Sequence, residues 1–185
     1  MKRCAIFGPR ICKLTNDEMK NLELFIEKLI IKIGVTVFLF GTNSEFTDIC
    51  YDIISKKQER FKSIIRVLYP CRENEGIKKC EKEQYQKLYS RLFKKDITVQ
   101  DYDEIIDMRH IFNAGKSVYY QRNVKMVDEC DCSLFYYQND YKPPKRKYSK
   151  NSIFYQPKSG TKLILDYAVK KKKKIFIINE INMLK

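Results

Sequence analysis

Three glycine-containing loops hold most of the residues in this sequence that could do chemistry. The first is Phe7-Gly8-Pro9-Arg10, the second runs from Phe40-Gly41-Thr42-Asn43-Ser44-Glu45 to Asp48, and the third is Lys158-Ser159-Gly160-Thr161. Each lies where an apolar run or loop hands over to a helical pattern. Free backbone N–H groups and a positive dipole end gather at such a junction, and both favour phosphate. Glycine allows close backbone approach to a ligand. Thr42, Asn43 and Ser44 offer short polar groups to a phosphate or ribose, and Glu45 offers a carboxylate to ribose hydroxyls. The competing reading is helix capping: Thr42 with Glu45, or Ser44 alone, can start the following helix. Ser159 can likewise be a plain cap, or Ser159-Gly160-Thr161 can form a small anion nest. Arg122-Asn123 adds a guanidinium suited to bidentate phosphate binding, although a surface salt bridge is the ordinary role of such an arginine.

The elements that must position these loops follow from hydrophobic periodicity. Strands are predicted at Cys4 to Phe7, Val35 to Phe40, Ile64 to Tyr69, Cys132 to Tyr137 and Ile175 to Ile178. The run Val35 to Phe40 is continuously apolar, as a strand buried on both faces requires. Between the first two strands, Thr15 and Glu18 read as a capping box. Leu22, Phe25, Ile26, Leu29, Ile30 and Ile33 then follow at helical spacing, and Gly34 ends the helix. Phe46, Ile49, Cys50, Ile53 and Ile54 mark a second helix, Ser117 to Glu129 a third, and Gly160 to Lys172 a last one. Residues 78–112 are expected to form a helical excursion, and residues 138–158 a basic loop rich in tyrosine and lysine. Alternating strands and helices imply right-handed βαβ units. The expected fold is one α/β domain over 1–185: a Rossmann-like doubly wound sheet of about five mainly parallel strands with helices on both faces. In such a sheet Gly8, Gly41 and Gly160 share the edge where ligands bind.

Composition narrows the class. The chain has 185 residues, 44% of them hydrophobic, which suits a globular domain. No apolar run reaches the roughly 20 residues of a membrane span. The N-terminal apolar stretch is too short for a signal peptide, so a cytoplasmic location without membrane association is expected. The seven cysteines contain no C-x-x-C pair, and there is one histidine, His110. Buried reduced thiols are therefore expected, with no metal and no cofactor. The net charge of +14 comes from 37 basic and 23 acidic residues. Such a charge attracts polyanions, so weak nonspecific nucleic-acid binding is anticipated, although lysine-rich composition alone also produces it.

Taken in order, these motifs resemble the SLOG superfamily, the Smf/DprA- and LOG-like Rossmannoid proteins. The residues that carry the resemblance are Phe7-Gly8-Pro9-Arg10, Phe40-Gly41 with Glu45-Phe46 and Asp48, the block from Asn113-Ala114-Gly115-Lys116 through Arg122-Asn123 to Asp128, and Ser159-Gly160-Thr161-Lys162 with Asp166-Tyr167-Ala168. The pattern looks closest to small YpsA-like, clostridial-type and phage-associated members. The resemblance implies a pocket for nucleotides or their derivatives, and relatives include phosphoribohydrolases, a single-strand DNA loader and sensors of ADP-ribose-type signals. Carried across by position, Gly41, Ser44, Glu45, Asp48, Arg122, Asn123, Gly160 and Thr161 become pocket candidates, beside Gly8, Arg10, Thr42, Asn43 and Ser159. The hydrolases of the family place a glutamate shortly after the last glycine loop, whereas here Lys162, Leu163, Ile164 and Leu165 follow. Glu45 is then the one acid in a plausible loop for glycosidic cleavage. The leading expectation is a binding module that holds a nucleotide-derived ligand as sensor or sequestering sponge, assembled as a homo-oligomer, dimer or higher. The alternatives are a nucleoside-monophosphate phosphoribohydrolase using Glu45, and a single-strand nucleic-acid binder.

Overall fold

The computed structural model describes residues 1–42, 44–72, 102–138, 146–147, 154–155 and 159–178. Strand β1 (Lys2–Phe7) leads to helix α1 (Asn16–Lys28), which continues through a π-helical turn (Leu29–Ile33). Strand β2 (Val35–Phe40), helix α2 (Glu45–Arg60) and strand β3 (Ile65–Leu68) follow. After residue 101 come β4 (Glu104–Ile105), helix α3 (Val118–Glu129) and β5 (Cys132–Phe135). A two-residue ladder, β6 (Arg146–Lys147) with β7 (Phe154–Tyr155), precedes helix α4 (Gly160–Lys170) and β8 (Lys174–Ile177).

Six strands form the main sheet, in the order β4-β3-β2-β1-β5-β8, and every pairing is parallel. Alternate residues of β1 and β2 enter different cores. Cys4, Ile6, Phe38 and Phe40 pack with Leu22, Ile26 and Ile54 of α1 and α2. Ala5, Phe7, Val37 and Leu39 pack with Met126, Val127, Ile164 and Ala168 of α3 and α4. Burial on both faces is why these strands read as unbroken apolar runs. The fold is therefore the Rossmann-like α/β architecture expected, with one strand more than the five predicted.

Local signals behave as their chemistry requires. The Thr15 hydroxyl accepts from the Glu18 amide at 3.2 Å, and the Glu18 carboxylate accepts from the Thr15 amide at 2.8 Å. Gly34 ends the π-helical turn at φ +77°, in the left-handed region.

The extra strand falls at the end of the stretch 78–112, over which one or two helices are expected. Residues 102–112 carry β4 and a 3-10 turn (Arg109–Ile111) instead of helix, while 78–101 lie outside the described residues. The cause is tertiary. Arg66 on β3 donates its amide to the Asp103 carboxylate at 2.7 Å and its Nη2 to the same group at 3.0 Å. The Asp103 amide returns a bond to the Arg66 carbonyl at 2.9 Å. This clip lays the next residues along the edge of β3. Burial opposes ionisation of Asp103, but the Arg66 bonds outweigh it and hold the carboxyl below its usual range. Within the predicted basic loop 138–158, β6 and β7 pair antiparallel, Arg146 opposite Tyr155. Residues 139–145, 148–153 and 156–158 lie outside the described residues.

Candidate functional site

The chain builds β1, β2 and β3 in one direction across the sheet and then returns past β1 to add β5 and β8. Strand order reverses between β1 and β5, and ligands of such folds bind at the strand C-terminal ends beside that reversal. Gly8 follows β1 and Gly41 follows β2, so both stand at this edge. The N-termini of α3 and α4, which lead back into β5 and β8, reach the same edge by parallel crossover. Gly160 opens α4 there, exposed, with nothing near its missing side chain.

The two other glycines are needed for packing. A Cβ on Gly8 would lie 2.4 Å from Phe46 of α2, which is fully buried and stacks on Tyr136 at 5.3 Å. A Cβ on Gly41 would lie 2.6 Å from Cζ of Arg122. The guanidinium therefore sits flush against the turn after β2, in space that only glycine leaves open.

Arg122 is 5% exposed, not on the surface as its residue type suggests. Its Nη1 donates to the Thr42 hydroxyl at 3.0 Å and its Nε to the Asn123 side-chain oxygen at 2.9 Å. The Tyr119 ring lies 5.6 Å from its Cζ. Among the described residues no carboxylate comes within ion-pair distance of it. Arg122, Asn123, Thr42 and Gly41 are thus brought together as one cationic cluster. Tyr102, wedged against Phe40 and Tyr51, lies close enough to Asp48 and Arg122 to feel both charges. Burial first, then the Asp48 carboxylate, pushes its phenol well above the ordinary range.

Ser44 and Glu45 have a different task. The Ser44 hydroxyl caps α2 by accepting from the Thr47 amide at 3.2 Å, and it donates to the Pro9 carbonyl at 3.0 Å. The Glu45 amide donates to the Arg10 carbonyl at 3.2 Å, and the Glu45 carboxylate accepts from the Cys12 amide at 2.8 Å. Of the two capping arrangements considered, Ser44 alone is the one formed. Glu45 stitches the first loop to the second. Burial, with the nearby charges of Glu45 and Glu18, raises the Cys12 thiol to about 11. The side chain of Arg10 is exposed, and Asn43 lies outside the described residues. Ser159 makes no side-chain capping bond, and Thr161 is half-buried at the start of α4.

Sequence reasoning missed Tyr119 and Tyr102 as members of the cluster. The signal for Tyr119 was available: it stands three residues before Arg122, so the two share a helix face. Tyr102 gave none, because a long-range clip delivers it. The Lys170 to Lys174 run is partly structural, since Lys171 pairs with Asp128 at 3.0 Å and Lys173 donates to the Cys130 carbonyl at 2.7 Å. His110 is exposed.

No family model matches the chain, and no curated protein sequence matches it significantly. Its structure is similar to that of DNA processing protein A (DprA) from Streptococcus pneumoniae. The TM-score is 0.52 over 95% of this chain, at 11% sequence identity. The chain spans 50% of the DprA chain. At that identity the likeness is one of fold. The shared architecture is the Rossmann-like fold expected from the sequence. No described helix is long and apolar enough to cross a membrane.

Proposed function

We propose that this chain binds a phosphate-bearing nucleotide or nucleotide derivative of the ADP-ribose type at the C-terminal edge of the sheet. It holds the ligand, as a sensor or sequestering protein of the YpsA-like kind, and does not cleave it. The observation that carries this reading is the buried Arg122 guanidinium without an ion-pair partner among the described residues. A buried charge is costly unless a counter-charge meets it. Gly41 clears the space beside the guanidinium, and Thr42 and Asn123 fix its plane. A phosphate supplies the missing anion, with the α4 N-terminus at the same edge as further N–H donors. Glu45, the acid required for glycosidic cleavage, is exposed and engaged with the Cys12 amide, which favours retention over turnover.

The test is to denature the purified full chain and identify any released nucleotide by mass spectrometry, then titrate wild type and Arg122→Met with that nucleotide. ADP, ADP-ribose and inorganic phosphate serve as probes if nothing is released. Losing a charge-assisted bond costs about 1.5–3 kcal/mol, so affinity falls roughly tenfold or more. Far-UV circular dichroism verifies that Arg122→Met, which gives up the bonds to Thr42 and Asn123, remains folded before its affinity is compared. Equal affinity in both proteins defeats the assignment. Free base and ribose phosphate released over many turnovers, and abolished in Glu45→Gln, establish the hydrolase instead.

A further inference from the structure

The opposite, N-terminal edge of the sheet carries a pair of groups that ligand binding does not use. Cys4 on β1 and Cys132 on β5 are register partners on adjacent parallel strands. Both side chains enter the same core, with α1 and α2. Neighbouring strands lie about 4.8 Å apart, inside the Cα separation of about 4.4–6.8 Å that a disulfide spans. Cys130, two residues before Cys132, faces the other core and shares a 3.3 Å hydrogen bond with Ser133, so it does not compete.

The two thiols are not equivalent. Cys4 is fully buried, while Cys132 opens β5 next to exposed Asp131 and is 3% exposed. Lys174, its register partner on β8, and Lys2 place positive charge beside it. The hydrogen bond between the thiols and then burial push Cys4 well up. The contact with Cys4 draws Cys132 below the ordinary thiol range, against burial and the neighbouring Asp131 carboxylate, which push it up. A thiolate is the reactive form of cysteine, and Cys132, at the start of β5 with Lys174 as its register partner, is the member of the pair nearer the surface.

We propose that Cys4 and Cys132 are a redox modification site that closes to a disulfide on reaction with a small hydroperoxide. The Cys132 sulfur attacks the peroxide oxygen, the O–O bond breaks, and the departing oxygen takes up a proton and leaves as water or an alcohol. Cys132 is then a sulfenic acid. The Cys4 sulfur attacks the Cys132 sulfur, the S–O bond breaks, and the hydroxyl leaves as water with the Cys4 proton. Two thiols lose two electrons and two protons, and the hydroperoxide accepts both. An excess of a small thiol reverses the bond by exchange.

The experiment treats the native full chain with hydrogen peroxide, alkylates the remaining thiols after denaturation, and maps the peptides. One linkage is expected, joining the Cys4 and Cys132 peptides, with the mass lower by two hydrogens. The linkage disappears in Cys132→Ser. In Cys4→Ser the sulfenic acid persists on Cys132 and is captured by dimedone. Because the bridge closes a loop of most of the chain, the melting temperature of the oxidised protein rises by up to about 10 °C. Circular dichroism verifies that each variant is folded, and Cys132→Ser alone decides the matter if Cys4→Ser is not. Linkage through Cys50 or Cys130, or a native chain that stays fully reduced where the denatured chain oxidises, overturns the proposal.

Discussion

Replacing Gly41 by alanine is expected to disable the candidate site while leaving every one of its polar groups in place. The new methyl carbon would stand 2.6 Å from Arg122 Cζ, 2.8 Å from Nη2 and 2.9 Å from Nη1. Such separations are well inside van der Waals contact, so something must move. The guanidinium ends a flexible chain, yet here it is buried and tied to Thr42 and Asn123. Shifting it breaks one or both of these charge-assisted bonds, at about 1.5–3 kcal/mol each. It also turns the guanidinium away from the edge where phosphate would meet it. Affinity for the retained nucleotide, or for ADP-ribose as probe, is expected to fall roughly 10- to 100-fold by calorimetric titration. The melting temperature drops by several degrees, at about 2–4 °C per kcal/mol for a chain of this size. The sheet itself is untouched, and far-UV circular dichroism stays the same. A Gly41→Ala protein with wild-type affinity would show that the guanidinium does not face the ligand, and the whole site argument would fail with it.

Gly8→Ala acts on stability instead of binding. Its methyl meets Phe46 at 2.4 Å in a fully packed stack with Tyr136, and overpacking costs about 1–3 kcal/mol, read as a lower midpoint in urea. Acid sensitivity traces to the Asp103 clip. Its folded pKa is depressed, so its contribution is complete above the unfolded value of about 3.9 and is lost as pH falls through the lower folded value. Asp103→Asn therefore flattens the acid limb of a stability profile, and an unchanged limb would count against the clip. Binding to single-stranded DNA is expected only at low salt, following the +14 charge, with steep loss by physiological ionic strength in a polarisation titration. Selective binding that survives physiological salt would move nucleic acid ahead of the small ligand.

Much of the framework was legible in the residues because its causes are local. The capping box at Thr15 and Glu18 needs only three residues of separation, and Gly34 needs only its own φ. The apolar runs of β1 and β2 and the helical spacing of α1, α2 and α4 report burial directly. The glycine loops share one edge for the same reason: parallel strands put all their C-terminal ends together. What sequence could not assign was the role of each loop residue, since a serine or glutamate at a helix start serves a cap, a strap or a ligand equally well.

Sequence by itself, then, determined that this chain is a parallel α/β protein with its polar loops at one edge, because periodicity and turn chemistry act over a few residues. Tertiary structure alone decided which of those loop residues form a cluster. Arg122 is buried because Gly41, some eighty positions earlier, leaves room for it and the Thr42 hydroxyl accepts its hydrogen bond. Glu45 is held by the Cys12 amide, and the strand at 104–105 exists because Asp103 grips Arg66. Each of these depends on pairing between segments far apart in the chain, and no local pattern encodes which distant partner a side chain will find.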